Sequence, residues 1–119
     1  MEEIIKGFVD DTVKNLTEVI DLYSADVSTI EMNQIERVFF VMHSLTGSAA
    51  MFGFGGVSLY SVNVERVYDQ LRKGNIKITI EIMDYTVRIS QVIKKIVLAE
   101  PADSNSSELI EFFKDQLVK

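Results

Sequence analysis

The fold follows from residues 35–56, which read IERVFFVMHSLTGSAAMFGFGG. Apolar side chains recur there every three or four residues, the spacing that places them along one face of an α-helix. Three glycines, Gly53, Gly55 and Gly56, then break the pattern. Glycine ends helices in the left-handed conformation and permits a tight reversal of the chain. The stretch therefore predicts a helix that is followed at once by a second helix running back beside it.

The rest of the chain has the same helical period in its apolar residues. Together with the stretch above, it predicts five helices, over roughly residues 2–24, 29–52, 56–73, 80–99 and 106–118. No alternating pattern typical of strands lies between them. We therefore expect an all-α fold, an antiparallel up-down four-helix bundle with a short fifth helix at the C-terminal end.

Polar residues mark where three of these helices begin. Ser28 and Glu31 have the spacing of a capping box ahead of the second helix, and Asn105 and Glu108 repeat that spacing ahead of the fifth. Thr79 is suited to cap the fourth helix, because a threonine hydroxyl accepts from a free N–H group of the first turn.

Composition limits the classes of function. With 119 residues, 47% of them hydrophobic, the chain is expected to form one domain over residues 1–119. A formal net charge of -6 repels phosphate backbones and anionic lipid, which argues against nucleic acid and membrane partners. The acidic start, MEEIIK, and the lack of an apolar run of about 20 residues argue against a signal peptide and a membrane span. We expect a monomeric cytoplasmic domain.

His43 is the only histidine, and the chain has no cysteine. An imidazole nitrogen can act as a nucleophile near neutral pH. One histidine without cysteine cannot build the usual zinc sites, and it leaves no base for a seryl or cysteinyl triad. We therefore expect no metal site and no hydrolase chemistry.

Glu65 is the predicted partner of His43. The two residues lie eleven positions before and after Phe54, where the chain reverses, so both are about 16 Å from the turn at the rise of an α-helix. A carboxylate that accepts a hydrogen bond from Nδ1–H would fix the tautomer and leave Nε2 free to attack. A lone histidine beside a carboxylate is more often an ordinary surface residue, so the pairing alone leaves both interpretations open.

Two neighbours of His43 are candidates for contact with a partner. Gly47 follows one turn later on the same flank and leaves a gap through which a partner surface or a phosphoryl group could approach. Phe40 projects away from the predicted core beside His43. It is either a tolerated exposed apolar residue or a docking contact.

Several short motifs agree with one known family. They are Phe8-Val9-Asp10-Asp11, His43-Ser44-Leu45 with Gly47, Phe52-Gly53-Phe54, Glu65 and Leu71-Arg72-Lys73-Gly74. Together they resemble a histidine phosphotransfer (Hpt) domain, most closely the N-terminal one of CheA-type chemotaxis histidine kinases. The likeness runs from about Phe8 to Gly74.

The resemblance implies a role in a two-component phosphorelay. His43 would accept a phosphoryl group on Nε2 from the catalytic domain of a histidine kinase and pass it to an aspartate of a response-regulator receiver domain. Phe40, Ser44 and Gly47 would form the docking surface around it. The domain itself would bind no cofactor, since ATP and Mg²⁺ belong to the partner domains. It would be a phosphotransfer intermediate without an ATP-binding or catalytic domain of its own, either standing alone or forming part of a longer histidine kinase.

The chain departs from the family at two positions. Thr46 stands where the family usually has a lysine, and Val62 where CheA-type domains often have a second histidine. A threonine hydroxyl could contact phosphate only through a neutral hydrogen bond. An inactive bundle that only docks receiver domains is therefore the alternative, and an unrelated helical scaffold is a third interpretation.

Overall fold

Five α-helices make up most of this computed structural model, which describes residues 2–23, 27–100 and 106–118. The helices are α1 (Glu2–Leu22), α2 (Met32–Ser48), α3 (Gly55–Arg72), α4 (Ile80–Val97) and α5 (Ser106–Leu117). Helices α1 to α4 pack on one another in chain order, α4 returns to α1, and α5 lies against α3 and α4. The predicted all-α bundle with a fifth helix is confirmed. None of these helices combines the length and the apolar composition needed to cross a bilayer.

The apolar stripes of the helices meet in one core. Its fully buried side chains include Leu16, Val19, Val38, Met42, Val64, Val67, Tyr68, Ile89, Ile93 and Phe113. Phe113 belongs to α5, and its neighbour Phe112 stacks on Tyr85 of α4 with ring centroids 3.9 Å apart. The fifth helix therefore covers one side of the core. This packing stabilises it, because a helix of its length is only marginally stable alone in water.

A chain of hydroxyl groups crosses this core. Tyr23 shares a hydrogen bond of 2.6 Å with Tyr68, and Tyr68 shares one of 2.8 Å with Thr86, so that α3 is linked to α4 and to the end of α1. Burial raises the pKa of Tyr23 to about 12 and the pKa of Tyr68 well above its ordinary value. Both hydroxyls therefore stay neutral in the folded protein over the physiological range.

The start of α2 differs from the prediction. The Ser28–Glu31 capping box is wrong, because Val27–Thr29 forms a 3₁₀ turn and Glu31 is itself the N-cap, with φ -98° and ψ 159°. The Glu31 side chain accepts from the N–H group of Gln34, and the Gln34 side chain accepts from the Glu31 N–H at 2.7 Å. A capping box needs an extended backbone at its first residue, and Ser28 lies inside the 3₁₀ turn.

The other ends of the helices lie close to the predicted ones. The α-helical part of α2 stops at Ser48, and a 3₁₀ turn over Ala49–Phe52 leads to Gly53, whose φ of 87° is the left-handed conformation. Thr79 caps α4 as predicted, its hydroxyl accepting from the N–H group of Ile82 at 3.1 Å. Asn105, predicted to begin the capping box of α5, lies outside the described residues.

Candidate functional site

Helices α2 and α3 bring His43 and Glu65 together. The imidazole Nδ1 lies 2.8 Å from Oε2 of Glu65, as expected from their equal distances to the reversal. The His43 side chain is 64% exposed, whereas that of Glu65 is 20% exposed. An ionised carboxylate can only accept a hydrogen bond, so Nδ1 donates and carries the proton. In a neutral imidazole with this tautomer the lone pair of the ring is on Nε2.

The second oxygen of Glu65 indicates that this residue does little for stability. Oε1 is buried and has no hydrogen-bonding partner within the described part of the chain. A buried polar atom without a partner costs on the order of 1–3 kcal/mol. A hydrogen-bonded pair with a well-exposed partner such as His43 contributes at most about 1 kcal/mol. The pair is therefore better explained by what it does to the imidazole than by what it adds to folding.

A second polar contact joins α2 to α3 beside the first. The hydroxyl of Thr46 donates to the carbonyl of Met42 at 2.9 Å, and it also lies 2.9 Å from the hydroxyl of the fully buried Ser61. A phosphate contact by this hydroxyl would require its proton to leave the carbonyl of Met42, since a hydroxyl has a single proton to donate. Ser61 was not predicted, although it lies seven residues after Phe54 and Thr46 lies eight before it, within one residue of the mirror relation that pairs His43 with Glu65.

The surface around His43 contains the three residues predicted to dock a partner. Phe40 is 53% exposed, and Ser44 and Gly47 are exposed as well. A Cβ atom at Gly47 would meet nothing within 4 Å, so the approach from that side is open. Ser44 also lines a groove between α1 and α2 with a volume of about 180 Å³. The imidazole thus lies between the exposed ring of Phe40 and the open, uncharged turn of α2 that contains Ser44 and Gly47.

The imidazole is further held by a residue that the sequence analysis did not single out. Phe39, one helical turn before His43, lies nearly parallel to the imidazole, with 11° between the planes and 5.7 Å between the centroids. A phenylalanine four residues before a histidine on one helix is the signal that could have found it. Among the described residues, no group of three or more carboxylate, histidine or cysteine side chains is placed to hold a metal ion.

Comparisons with known proteins agree with this arrangement. The family model described as Hpt domain matches residues 3–100. The sensor histidine kinase CheAY of Helicobacter pylori is 27% identical over 100 residues. That match covers 82% of this chain but only 12% of the length of the kinase.

Proposed function

Because the chain belongs to the Hpt domain family, the phosphotransfer domains of two-component signalling, we propose that Nε2 of His43 carries a phosphoryl group between two partner domains. The donor is the ATP-bound catalytic domain of a histidine kinase, and the acceptor is an aspartate of a response-regulator receiver domain. One observation carries the proposal: an exposed imidazole whose Nδ1 is held by a carboxylate at 2.8 Å. The similarity to a sensor histidine kinase supports the choice of donor.

In the first transfer, the lone pair of Nε2 attacks the γ-phosphorus of ATP. The N–P bond forms as the bond from that phosphorus to the bridging oxygen breaks, and ADP leaves with the electron pair. The Nδ1 proton stays in place because Glu65 accepts its hydrogen bond. Glu65 thereby orients the ring and stabilises the positive charge that develops on it during attack, as a carboxylate does for the histidine of a catalytic triad.

In the second transfer, a carboxylate oxygen of the receiver aspartate attacks the same phosphorus. The N–P bond breaks, and its electron pair returns to Nε2, so His43 regains its starting form. The contribution of this chain is an aligned nucleophile on a rigid pair of helices. ATP and Mg²⁺ are brought by the partner domains.

Docking involves the residues that surround the imidazole. The exposed ring of Phe40 offers apolar area, while Ser44 and Gly47 leave room for a partner to come close to Nε2. The net charge of -6 disfavours nucleic acid and anionic membranes as competing partners. We expect the domain to act as a monomer in the cytoplasm, where ATP and receiver domains meet.

The test is phosphorylation by a histidine kinase catalytic core. The chain is incubated with several such cores and ATP, and mass spectrometry is used to look for an acid-labile phosphoryl group on His43. We expect labelling of the wild type, chase of the label onto a receiver domain, and no labelling of a folded His43→Gln variant. Labelling that persists in this variant would show that another residue is the acceptor.

Thr46 and Val62 favour a second candidate, a bundle that only docks receiver domains. The hydroxyl of Thr46 is hydrogen-bonded to Met42 and Ser61. Neither Thr46 nor Val62 supplies the positive charge that the family's usual lysine and histidine would bring. Receiver binding by a wild type that no kinase core phosphorylates, while a control Hpt domain is phosphorylated, would favour this candidate.

A further inference from the structure

The ring of Phe39 restrains the imidazole in a way that the hydrogen bond to Glu65 does not. The hydrogen bond fixes the position of Nδ1, but the plane of the imidazole can still tilt around that atom. A nearly parallel ring with centroids 5.7 Å apart opposes that motion. Phe39 is only 7% exposed, so its own ring is held by the core. The phenyl ring of Phe39 therefore gives the exposed imidazole of His43 a fixed surface to pack against.

Arg72 of α3 lies against the same phenyl ring. Its guanidinium carbon is 4.0 Å from the centroid of Phe39, within the range of a cation–π contact. The guanidinium Nε donates to Oδ1 of Asp69 at 2.8 Å, and Nζ of Lys73 donates to Oδ2 of the same carboxylate at 2.9 Å. These contacts with Lys73 and Arg72 lower the pKa of Asp69, so the carboxylate keeps its charge and Arg72 keeps its anchor.

From these contacts we infer that Phe39 and Arg72 are positioning residues for phosphoryl transfer by His43. Arg72 holds the phenyl ring of Phe39 from α3, and that ring holds the plane of the imidazole so that Nε2 points to the incoming phosphorus. The inference rests on the proposed function. Transfer of a phosphoryl group depends mainly on alignment of the attacking atom, so looser orientation slows the chemical step more than it weakens docking.

The inference predicts that Arg72 acts through Phe39 and not directly on the phosphoryl group. Its guanidinium is already bound to Asp69 and packed on the phenyl ring. Without that ring, removal of the guanidinium should change little. The two substitutions are therefore expected to be non-additive, as for residues that act as a unit.

The experiment is a double-mutant cycle with Phe39→Leu, Arg72→Gln and the double variant. Phosphorylation by a histidine kinase core is measured at saturating ATP against the concentration of this chain, which separates kcat from KM. We expect kcat to fall about fivefold to tenfold in Phe39→Leu and about threefold in Arg72→Gln, with KM unchanged. The double variant should match Phe39→Leu. Additive losses, or a loss that appears only in KM, would overturn the inference.

The control variant is Arg37→Gln. Arg37 is another arginine in an ion pair, with its Nη2 2.9 Å from Oε2 of Glu18. This ion pair joins α2 to α1 and includes neither Phe39 nor Arg72. The control is expected to leave kcat unchanged. An equal loss in Arg37→Gln would show that the effect of Arg72 is one of overall charge.

NMR of the imidazole protons separates positioning from a general loss of stability. Stacking on Phe39 shifts these protons by the ring current, and the shift should vanish in Phe39→Leu, shrink in Arg72→Gln and persist in Arg37→Gln. If Phe39→Leu does not fold, Phe39→Met offers an unbranched, flexible side chain of similar volume that can fill the gap without a ring. A wild type that is never phosphorylated overturns the proposed function and this inference together. A phosphorylated wild type with an unchanged cycle overturns this inference alone.

Discussion

Two of the hydrogen-bonded contacts between the helices of this domain, one at the surface and one in the core, differ mainly in their surroundings. His43 and Glu65 meet at 2.8 Å across α2 and α3 on the surface, while Tyr23, Tyr68 and Thr86 meet at 2.6 and 2.8 Å inside the core. The imidazole is 64% exposed, whereas Tyr68 and Thr86 are fully buried. Bonds of nearly equal length therefore lie in water at one place and in a dry interior at the other.

Exposure decides what each set can do. The surface pair leaves Nε2 open to a partner, and water screens the pair so that it adds little to the free energy of unfolding. The buried hydroxyls have no access to a partner protein. Removal of the Tyr68 hydroxyl would take from Tyr23 its hydrogen bond, whereas Thr86 would keep the one that it donates to the carbonyl of Ile82. Substitutions at the surface pair should thus change phosphorylation and spare stability, and substitutions in the core should do the reverse.

The largest expected effect is that of Glu65→Ala on phosphorylation. Loss of the group that holds Nδ1 should slow labelling of His43 about 10-fold to 100-fold, the usual cost of removing an orienting carboxylate. The free energy of unfolding should change by less than about 1 kcal/mol, because a buried and unpartnered oxygen is removed together with a screened pair. Timed labelling with a kinase core and urea titration measure the two effects. An unchanged rate would contradict the role given to Glu65.

Tyr68→Phe is the matching test in the core. It removes the middle one of the three linked hydroxyl groups and deprives Tyr23 and Thr86 of a partner. The free energy of unfolding should therefore fall by about 1–3 kcal/mol. The rate of His43 phosphorylation should stay the same. Tyr60→Phe, the same change at a half-buried position of α3, should cost less than about 0.5 kcal/mol. Equal losses in the two variants would show that the buried hydroxyls are not the cause.

The two regions also differ in how far the sequence predicts them. His43 and Glu65 lie at the same height along α2 and α3, and this follows from the helical rise and the position of one reversal, both of which are local features of the sequence. The cap formed by the hydroxyl of Thr79 was predicted from local spacing as well. The contact between the buried tyrosines has no such local signal. The bond from Tyr23 to Tyr68 joins residues 45 positions apart, and its geometry depends on how α1 and α3 pack. No local pattern specifies such a contact.

The start of α2 shows a different limit. Ser28 and Glu31 have the spacing of a capping box, and so do Glu31 and Gln34. Two overlapping patterns compete for the same helix end, and the choice depends on whether the chain forms a 3₁₀ turn at Val27–Thr29.

The contact of Arg72 with Phe39 was not predicted, because it depends on the packing of α2 on α3.

Alkaline pH should weaken the core specifically. Burial raises the pKa of Tyr23 to about 12 and that of Tyr68 well above its ordinary value, whereas a tyrosine in the unfolded chain titrates near pH 10. The unfolded chain therefore loses protons first. Stability is fully present below about pH 10 and is lost as the pH rises towards the folded pKa values.

Urea titrations between about pH 8 and 11 measure this loss. Tyr23→Phe has one group fewer that titrates, so its stability should fall less steeply above about pH 10 than that of the wild type, although it starts lower. Equal slopes in the two proteins would contradict the assignment to this tyrosine.

The smallest expected effect is at Thr46, which lies between the two regions, half-buried beside the site and bonded to the buried Ser61. Thr46→Lys should cost about 1 kcal/mol of stability through loss of that bond, as should Thr46→Val. The lysine alone adds a cation that can reach a phosphoryl group on Nε2, so it should raise the rate of labelling about twofold to fivefold. Labelling with a kinase core and urea titration compare the two variants. If both variants lose phosphorylation equally, the Thr46 hydroxyl itself contributes to transfer, and this contact belongs functionally to the site and not to the core.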